Sequence, residues 1–490
     1  MVVLSTGPVV REVTRVVGEG YLEVWRGSLG ELSVVHVAGT PDEMGRQYGA
    51  LVGDKIRCNA DRLVGLFTRE GLPEELVLLL LAKSWKRLEA HTPERFLREM
   101  AAVAQGASEA GFDVSIEDMQ RITTVTNFDL YKREERAIEI LGEDAAPLLE
   151  RLSQMDSMSC TMFAVWGART VDGKVFASRD LDWASQTGMH EDRLISVYRP
   201  VGANAFVAMD YAGVMGALAG MNEKGVTLSE VGAFSVREEL DGTPWTLMAR
   251  DVLETADTLE DAVRVIQNAR HTIGYNYLVS FGDPARFGTD LFEPGAAAFE
   301  TNFECCETFF EDDPKEHAAS WMDSDGNEVR FGLPLKQAVM RGDMAFGRQT
   351  RALQATDNGP GDPANDGNPL KEFEGSTYFE CHKPMYDMIR AYETGSEYVF
   401  PVRGTKVIEA GAPRRIGADE ALTIAATVAH NTEKLHDNDW DVMSVVFAPT
   451  DLEFWVAYES CDADGQWRNA PDSGYWRFRL SDLLAPAPRE

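Results

Sequence analysis

The stretch from Ser159 to Trp183 constrains this chain more than any other. It reads Ser-Cys-Thr-Met-Phe-Ala-Val-Trp-Gly from 159 to 167 and Phe-Ala-Ser-Arg-Asp-Leu-Asp-Trp from 176 to 183. The first run is β-branched and aromatic, the second is strand-like, and Val171-Asp172-Gly173-Lys174 places an Asp-Gly turn between them. Two such runs about Asp-Gly predict a β-hairpin. Folding back brings Arg179 and Asp182 toward Cys160, so local geometry gathers a thiol, a cation and a carboxylate.

The chemistry this suggests begins with a cut. If the Cys160 thiol cleaves the Ser159–Cys160 bond, Cys160 gains a free α-amine. An α-amine has an unperturbed pKa of about 7.7–8.0 and serves as a general base near neutral pH. One residue then supplies nucleophile and base together. Asp182 would orient the amine, and Arg179 would favour the thiolate or hold an anionic part of a substrate.

Three phrases carry a resemblance. They are Cys-Thr-x-Phe-Ala-x-Trp-Gly from Cys160, Thr170-x-Asp172-Gly173, and Arg179-x-x-Asp182-Trp183. Together they resemble the isopenicillin N acyltransferase-like (acyl-coenzyme A:6-aminopenicillanate acyltransferase) family of self-processing N-terminal-nucleophile (Ntn) hydrolases. Bile-salt hydrolases and acid amidases are cousins with the same Arg-x-x-Asp pair behind an N-terminal cysteine. A fourth phrase, Gly39-Thr40-Pro41 followed by Gly45 and Gly49, is similar to one near the start of the same family. Gly220-Met221-Asn222-Glu223-Lys224-Gly225 is a fifth.

The resemblance implies an α+β fold, a four-layer αββα sandwich. It implies two pieces after self-cleavage: 1–159, a mostly helical small subunit, and 160–490, the catalytic domain. They should stay associated, because the apolar faces of the first need the core of the second. It implies a small-molecule acyl-amide or acyl-thioester substrate and calls for no cofactor. It makes Asn276, ahead of Tyr277-Leu278-Val279, the oxyanion donor, worth about 3–4 kcal/mol in the barrier. The chain also departs from the pattern. Leu228 to Gly232 lacks a downstream Asn found in some cousins. Met340-Arg341-Gly342-Asp343 stands where the family often has Asn-His.

Charge narrows the partners. A formal net charge of −33 argues against nucleic acid, whose phosphates need Lys and Arg, and against an anionic membrane surface. Residues 1–11 lack the regions of a signal peptide. The longest apolar run, Leu76 to Ala82, is too short to span a bilayer. A cytoplasmic protein is expected, with its six cysteines reduced, since their spacing is irregular.

The remaining elements follow from pattern. Strand-like runs occupy 12–37. Thr40-Pro41 starts a helix reaching about Phe67. Pro73, Pro93 and Ser115 open three more, and 141–158 is an exposed linker suited to cleavage. Strands are expected at 194–198, 203–209, 213–219, 225–233 and from Gly274. Helices are expected at 243–256, 259–269, 384–393 and 418–430, and strands at 441–448, 452–458 and 475–480. Residues 284–415 are the least regular, and 357–369 reads as loop.

Other candidates carry less. Cys305-Cys306 with His317 lacks zinc-ligand spacing. Asp323-Ser324-Asp325-Gly326 lacks the full calcium-loop pattern and reads as a hairpin turn. Cys381-His382 would lie on opposite faces of a strand. His430 and His436 are most simply structural or exposed. Two alternatives stand beside the acyl-transfer reading: a lipid esterase of the phospholipase B-like sort, and a catalytically silent scaffold that binds a ligand in the old pocket.

Overall fold

The computed structural model describes residues 2–5, 8–68, 71–128, 133–146, 148, 159–322, 326–354, 378–401, 403–429 and 439–485. The expected linker 141–158, the loop 357–369, the turn 323–325, His430 and His436 fall wholly or partly outside these.

The chain opens with strands β1 (Val10–Val17), β2 (Gly20–Gly27) and β3 (Gly30–Gly39). Five helices follow: α1 (Pro41–Thr68), α2 (Glu74–Glu89), α3 (Glu94–Glu109), α4 (Ile116–Thr126) and α5 (Arg133–Leu141). The expected hairpin forms as β4 (Ser159–Val165) and β5 (Phe176–Ala184), joined by two tight turns. Asp172 and Gly173 take positive φ of 58° and 74° there, which the Asp-Gly pair tolerates. Then come β6 (Arg193–Pro200), β7 (Phe206–Tyr211), β8 (Ala219–Asn222) and β9 (Val226–Gly232), followed by helices Trp245–Thr255 and Leu259–Asn268. β10 (Tyr275–Phe281), β11 (Gly295–Thr301) and β12 (Cys306–Phe309) complete one sheet. Beyond it lie the ribbon β13 (Ser320–Met322) and β14 (Glu328–Arg330), then β15 (Ala338–Arg341). A second ribbon, β16 (Tyr398–Phe400) and β17 (Thr405–Ile408), precedes β18 (Asp439–Ala448) and β19 (Glu453–Tyr458). A third, β20 (Ser460–Cys461) and β21 (Trp467–Arg468), precedes β22 (Trp476–Arg479).

Two sheets result. The larger has ten strands in the order β1-β2-β3-β6-β7-β8-β9-β10-β11-β12, and the smaller six in the order β15-β4-β5-β18-β19-β22. Pairing is antiparallel except between β3 and β6. β4 and β5 of the smaller sheet pack on β9 of the larger. α1 and the helices 245–255 and 259–268 cover the larger sheet, and helix 418–428 covers β5 and β18. Core residues divide accordingly. Cys160, Met162 and Ala164 join the main cluster with Leu228 and Val231. Phe163 and Val165 join the outer cluster with Met385, Ile389 and Leu422. This is the expected αββα sandwich. The first 159 residues are more than a helical cap, because β1 to β3 are built into the ten-stranded sheet.

Two expectations are corrected. Residues 213–219 form a turn, not a strand: Gly213 takes φ +95°, Gly216 lies against the Thr246 backbone, and β8 begins only at Ala219. Cys381 and His382 lie in a wide helical turn, Tyr378–His382, leading into helix Lys383–Thr394. Pro384 fits the first turn of that helix, and the Cys381 thiol contacts the Val428 carbonyl at 3.1 Å.

The Gly39–Gly49 phrase has a packing reason. Thr40 and Glu43 cap α1 reciprocally, the Thr40 N–H donating to Glu43 Oε2 at 2.8 Å. Gly45, Gly49 and Gly53 then recur every four residues on one face of α1. A Cβ on Gly49 would stand 1.9 Å from the Val103 carbonyl oxygen of α3, and one on Gly106 would stand 2.1 Å from the Arg46 carbonyl. The helices therefore cross backbone to backbone. Gly49→Ala should destabilise the protein by about 1–3 kcal/mol through overpacking. Gly65→Ala, on the same helix with nothing within 4 Å of its would-be Cβ, should be neutral or stabilising by about 0.5–1 kcal/mol. Denaturant unfolding of both variants checks this, and equal effects would remove the close-crossing explanation.

Candidate active site

The hairpin register fixes the site. β4 pairs β5 with Ser159 opposite Asp182, Cys160 opposite Leu181, Thr161 opposite Asp180 and Met162 opposite Arg179. Directly opposed residues share a face of the sheet. Cys160 and Arg179 therefore lie on one face, diagonally related, and Asp182 sits beside the Ser159–Cys160 junction. Cys160 and Arg179 are fully buried, and Asp182 is 2 % exposed. These three groups come together as expected.

The other sheet adds a group that sequence reasoning passed over. Glu230, on β9, forms a fully buried ion pair with Arg179 through Nη2. The Leu228–Gly232 stretch had been read only for a missing Asn. The signal available was the acidic residue itself, at an interior position of an otherwise apolar and small-residue strand. Among the described residues, Arg179 Nε and Nη1 have no hydrogen-bond partner. Burial alone would lower its pKa, but Glu230 and the Cys160 sulfur outweigh this and the guanidinium stays charged.

The thiol stands differently. Burial pushes Cys160 well above the usual thiol range. Arg179 pulls it back, while Glu230 and Asp182 push it further up and the Asp182 backbone N–H favours the thiolate. In this arrangement the sulfur is a protonated thiol near neutral pH and needs a base to become a nucleophile.

Asn276 lies on β10, opposite Val231 on one side and Glu300 on the other. Its amide nitrogen donates to the carbonyls of Gly342 at 2.8 Å and Met344 at 3.2 Å. Its donors thus anchor the loop after β15, and its buried Oδ1 has no hydrogen-bond partner among the described residues. Serving an oxyanion would require redirecting one of those donors. Asn222, in the Gly220–Gly225 phrase, is structural. Its amide caps Leu253 and Ala256 at 3.0 and 2.8 Å, and its Oδ1 accepts from Lys224 and Val226.

Arg341 occupies the stretch read as the counterpart of the Asn-His pair. It pairs with Met162 across β15 and β4, so Arg341, Met162 and Arg179 form one row. Fully buried, it meets Glu300 at 3.0 Å and Glu316 at 3.1 Å over the ring of Phe309. Among the described residues no group of three or more His, Cys, Asp and Glu is arranged to hold a metal. No described helix is long and apolar enough to cross a membrane.

Opposite Thr161 of β4 lies Asp180. It accepts from Ser444 Oγ, whose oxygen is 2.6 Å from Tyr475 Oη, and from Thr161 Oγ1 at 3.4 Å. Burial pushes its pKa up to about 8, with Ser444 opposing and Asp182 adding. The unfolded carboxyl ionises near pH 3.9. Between those values the folded state holds a proton the unfolded state lacks, so stability falls as pH rises through that window. Asp180→Asn removes the proton. The variant should lose stability less steeply than wild type from about pH 4 to pH 8, by about one proton in slope. Denaturant unfolding across that range checks it, and parallel curves would contradict a neutral Asp180.

With this geometry in place, comparisons can be weighed. Residues 169–285 match the family model for acyl-coenzyme A:6-aminopenicillanic acid acyl-transferase. The match begins after Cys160 and contains Arg179, Asp182, Glu230 and Asn276. An uncharacterized protein of Archaeoglobus fulgidus is 27% identical over 288 residues, 57% of this chain and 47% of its own length. The chain thus spans about half of that relative. Solved structures with some likeness include a Caenorhabditis elegans ortholog of N-acylethanolamine-hydrolyzing acid amidase, at 12% identity and TM-score 0.35, covering 59% of this chain and 93% of that one. Penicillin V acylase from Agrobacterium tumefaciens gives 13% and 0.31, covering 61% and 83%. A variant of conjugated bile acid hydrolase from Clostridium perfringens gives 12% and 0.36, covering 65% and 96%. Over residues 169–285, then, this chain matches the acyl-coenzyme A:6-aminopenicillanic acid acyl-transferase family, the family its motifs resemble.

Proposed function

We propose that the protein is a self-processing cysteine amide hydrolase or acyltransferase, with Cys160 as its N-terminal nucleophile. One observation carries this. A buried thiol with its pKa pushed well up opens a central strand opposite the Arg179–Asp182 stretch, within a fold and family segment tied to acyl transfer. Such a thiol is a poor nucleophile at neutral pH, and an α-amine on the same residue is the base that would activate it for turnover.

The steps follow from the groups present. Cys160 Sγ attacks the Ser159 carbonyl carbon while the thiol proton passes to the peptide nitrogen, which leaves as the Cys160 amine; water then hydrolyses the resulting thioester, releasing the Ser159 carboxylate and restoring the Cys160 thiol. The freed amine then takes the thiol proton. Sγ attacks the carbonyl of an acyl-amide or acyl-thioester, the leaving amine or thiol takes that proton, and an acyl-enzyme forms. Water gives hydrolysis and an amine gives transfer. Arg179, with Nε and Nη1 unspent, would donate to developing negative charge. Asp182 would orient the amine. The cognate class is a small acyl-amide or acyl-thioester.

Incubation with N-acylethanolamines, penicillin V and conjugated bile acids, followed by mass analysis, tests the reading. An acyl adduct on Cys160 and turnover lost in Cys160→Ala are the expected results. Turnover persisting in Cys160→Ala would overturn it. Arg179→Ala should lower turnover by about 100-fold or more if its donors meet the oxyanion. It would also break the buried Arg179–Glu230 ion pair, so a folding check must accompany the assay.

A further inference from the structure

Asn276 spends its amide in one direction only. The Nδ2 hydrogens go to two backbone carbonyls, Gly342 at 2.8 Å and Met344 at 3.2 Å. Turned over, the amide would set its oxygen against two carbonyl oxygens, so those carbonyls dictate its orientation. The residue is 1 % exposed, and the Oδ1 so placed has no hydrogen-bond partner among the described residues. A buried acceptor left without a donor costs about 1–3 kcal/mol, and native structures keep few of them. A molecule arriving with an N–H recovers that cost.

The segment that fixes Asn276 is itself held residue by residue. Gln354 accepts from the Ala345 N–H at 2.9 Å and donates to the Asp343 carbonyl at 2.6 Å. Glu300 accepts from the N–H groups of Phe346 at 2.9 Å and Gly347 at 2.7 Å. The carbonyls that engage Asn276 therefore stay in place, and Oδ1 is the atom the side chain has left to offer. Asn276 is bracketed by groups close to Cys160. Gly342 follows Arg341, which lies opposite Met162, two residues along β4 from Cys160. On the other side Asn276 precedes Tyr277, which lies opposite Glu230. Glu230 is the ion-pair partner of Arg179, and its charge acts on the Cys160 sulfur. β4 packs on both β9 and β10. A bound amide spans such a gap: with its carbonyl carbon about 3–3.5 Å from sulfur and an acceptor about 2.9 Å from its nitrogen, that acceptor stands roughly 5–7 Å from sulfur.

We propose that Asn276 is a specificity-determining residue whose Oδ1 accepts the N–H of the scissile amide, so that the substrate is an amide bearing an N–H rather than an ester or thioester. This rests on the reading of Cys160 as the nucleophile. Sulfur bonds to the carbonyl carbon, the C–N bond breaks, and the leaving nitrogen takes the proton held by the Cys160 amine. An N–H held on Oδ1 fixes how that nitrogen presents its lone pair for the proton. An ester or thioester has no N–H and leaves Oδ1 buried and unpaired. Sites built around a substrate hydrogen bond reject analogues that lack it for this reason.

The test compares 4-nitroanilides with 4-nitrophenyl esters of the same straight-chain fatty acids on the full chain, as wild type, Asn276→Leu and Cys160→Ala. Asn276→Leu should lower kcat/KM for the anilide about tenfold or more beyond its effect on the ester, the factor one lost hydrogen bond supplies. An oxyanion donor, or a mere anchor of residues 342–347, would lower both alike, because both substrates carry the same carbonyl. Equal losses, with turnover abolished in Cys160→Ala, would therefore overturn the role of Asn276 and leave the nucleophile standing. Wild type gives a second reading that does not depend on how the variant folds. The N-methyl-4-nitroanilide lacks the N–H and should turn over about tenfold more slowly or worse than its parent, and a rate equal to the parent's would overturn the role. Turnover of both series persisting in Cys160→Ala would overturn the nucleophile reading and this role with it.

Discussion

Two opposite charges meet in the dry space between the sheets, and the site depends on that meeting. Arg179 projects from the six-stranded sheet and Glu230 from the ten-stranded one, both fully buried. Removing one partner of such a pair costs about 3–5 kcal/mol, because the other is left as an uncompensated charge. The pair therefore fixes the relation of β5 to β9, and with it the wall in which Cys160 lies. A second pairing, Arg341 with Glu300 and Glu316, does the same at β15. Buried ion pairs add little net stability compared with apolar packing, so their use here reads as register and site geometry rather than strength.

The same burial explains why the Cys160 thiol is quiet. A fully buried thiol beside Glu230 and Asp182 is held protonated, and Arg179 only partly offsets them. Arg179 meets Glu230 through Nη2 and offsets the burial of the sulfur only in part. In the proposed mechanism the N-terminal amine is the base that this buried thiol needs.

Much of this was legible in the sequence, for identifiable reasons. The hairpin was readable because Asp172-Gly173 permits positive φ between two strand-like runs, and the hairpin register alone sets Cys160 beside Arg179 and Asp182. Thr40 and Ser115 announced their helices as caps. Long-range partners were not legible. Glu230 is 51 residues from Arg179, and nothing local marks which strand face will meet which. Asn276 was found as a residue, but its donors serve the loop 342–344, which contacts it only after both sheets close. The 213–219 segment misled because its apolar residues are buried in a turn.

The central claim is that Cys160 becomes a chain terminus, and an intact-mass measurement on purified protein under denaturing conditions tests it most directly. The account requires two species, residues 1–159 and 160–490, that travel together under native conditions because β1 to β3 are part of the larger fragment's sheet. It also requires a single uncut species from Cys160→Ala. Active wild-type protein with the mass of one 490-residue chain would contradict it.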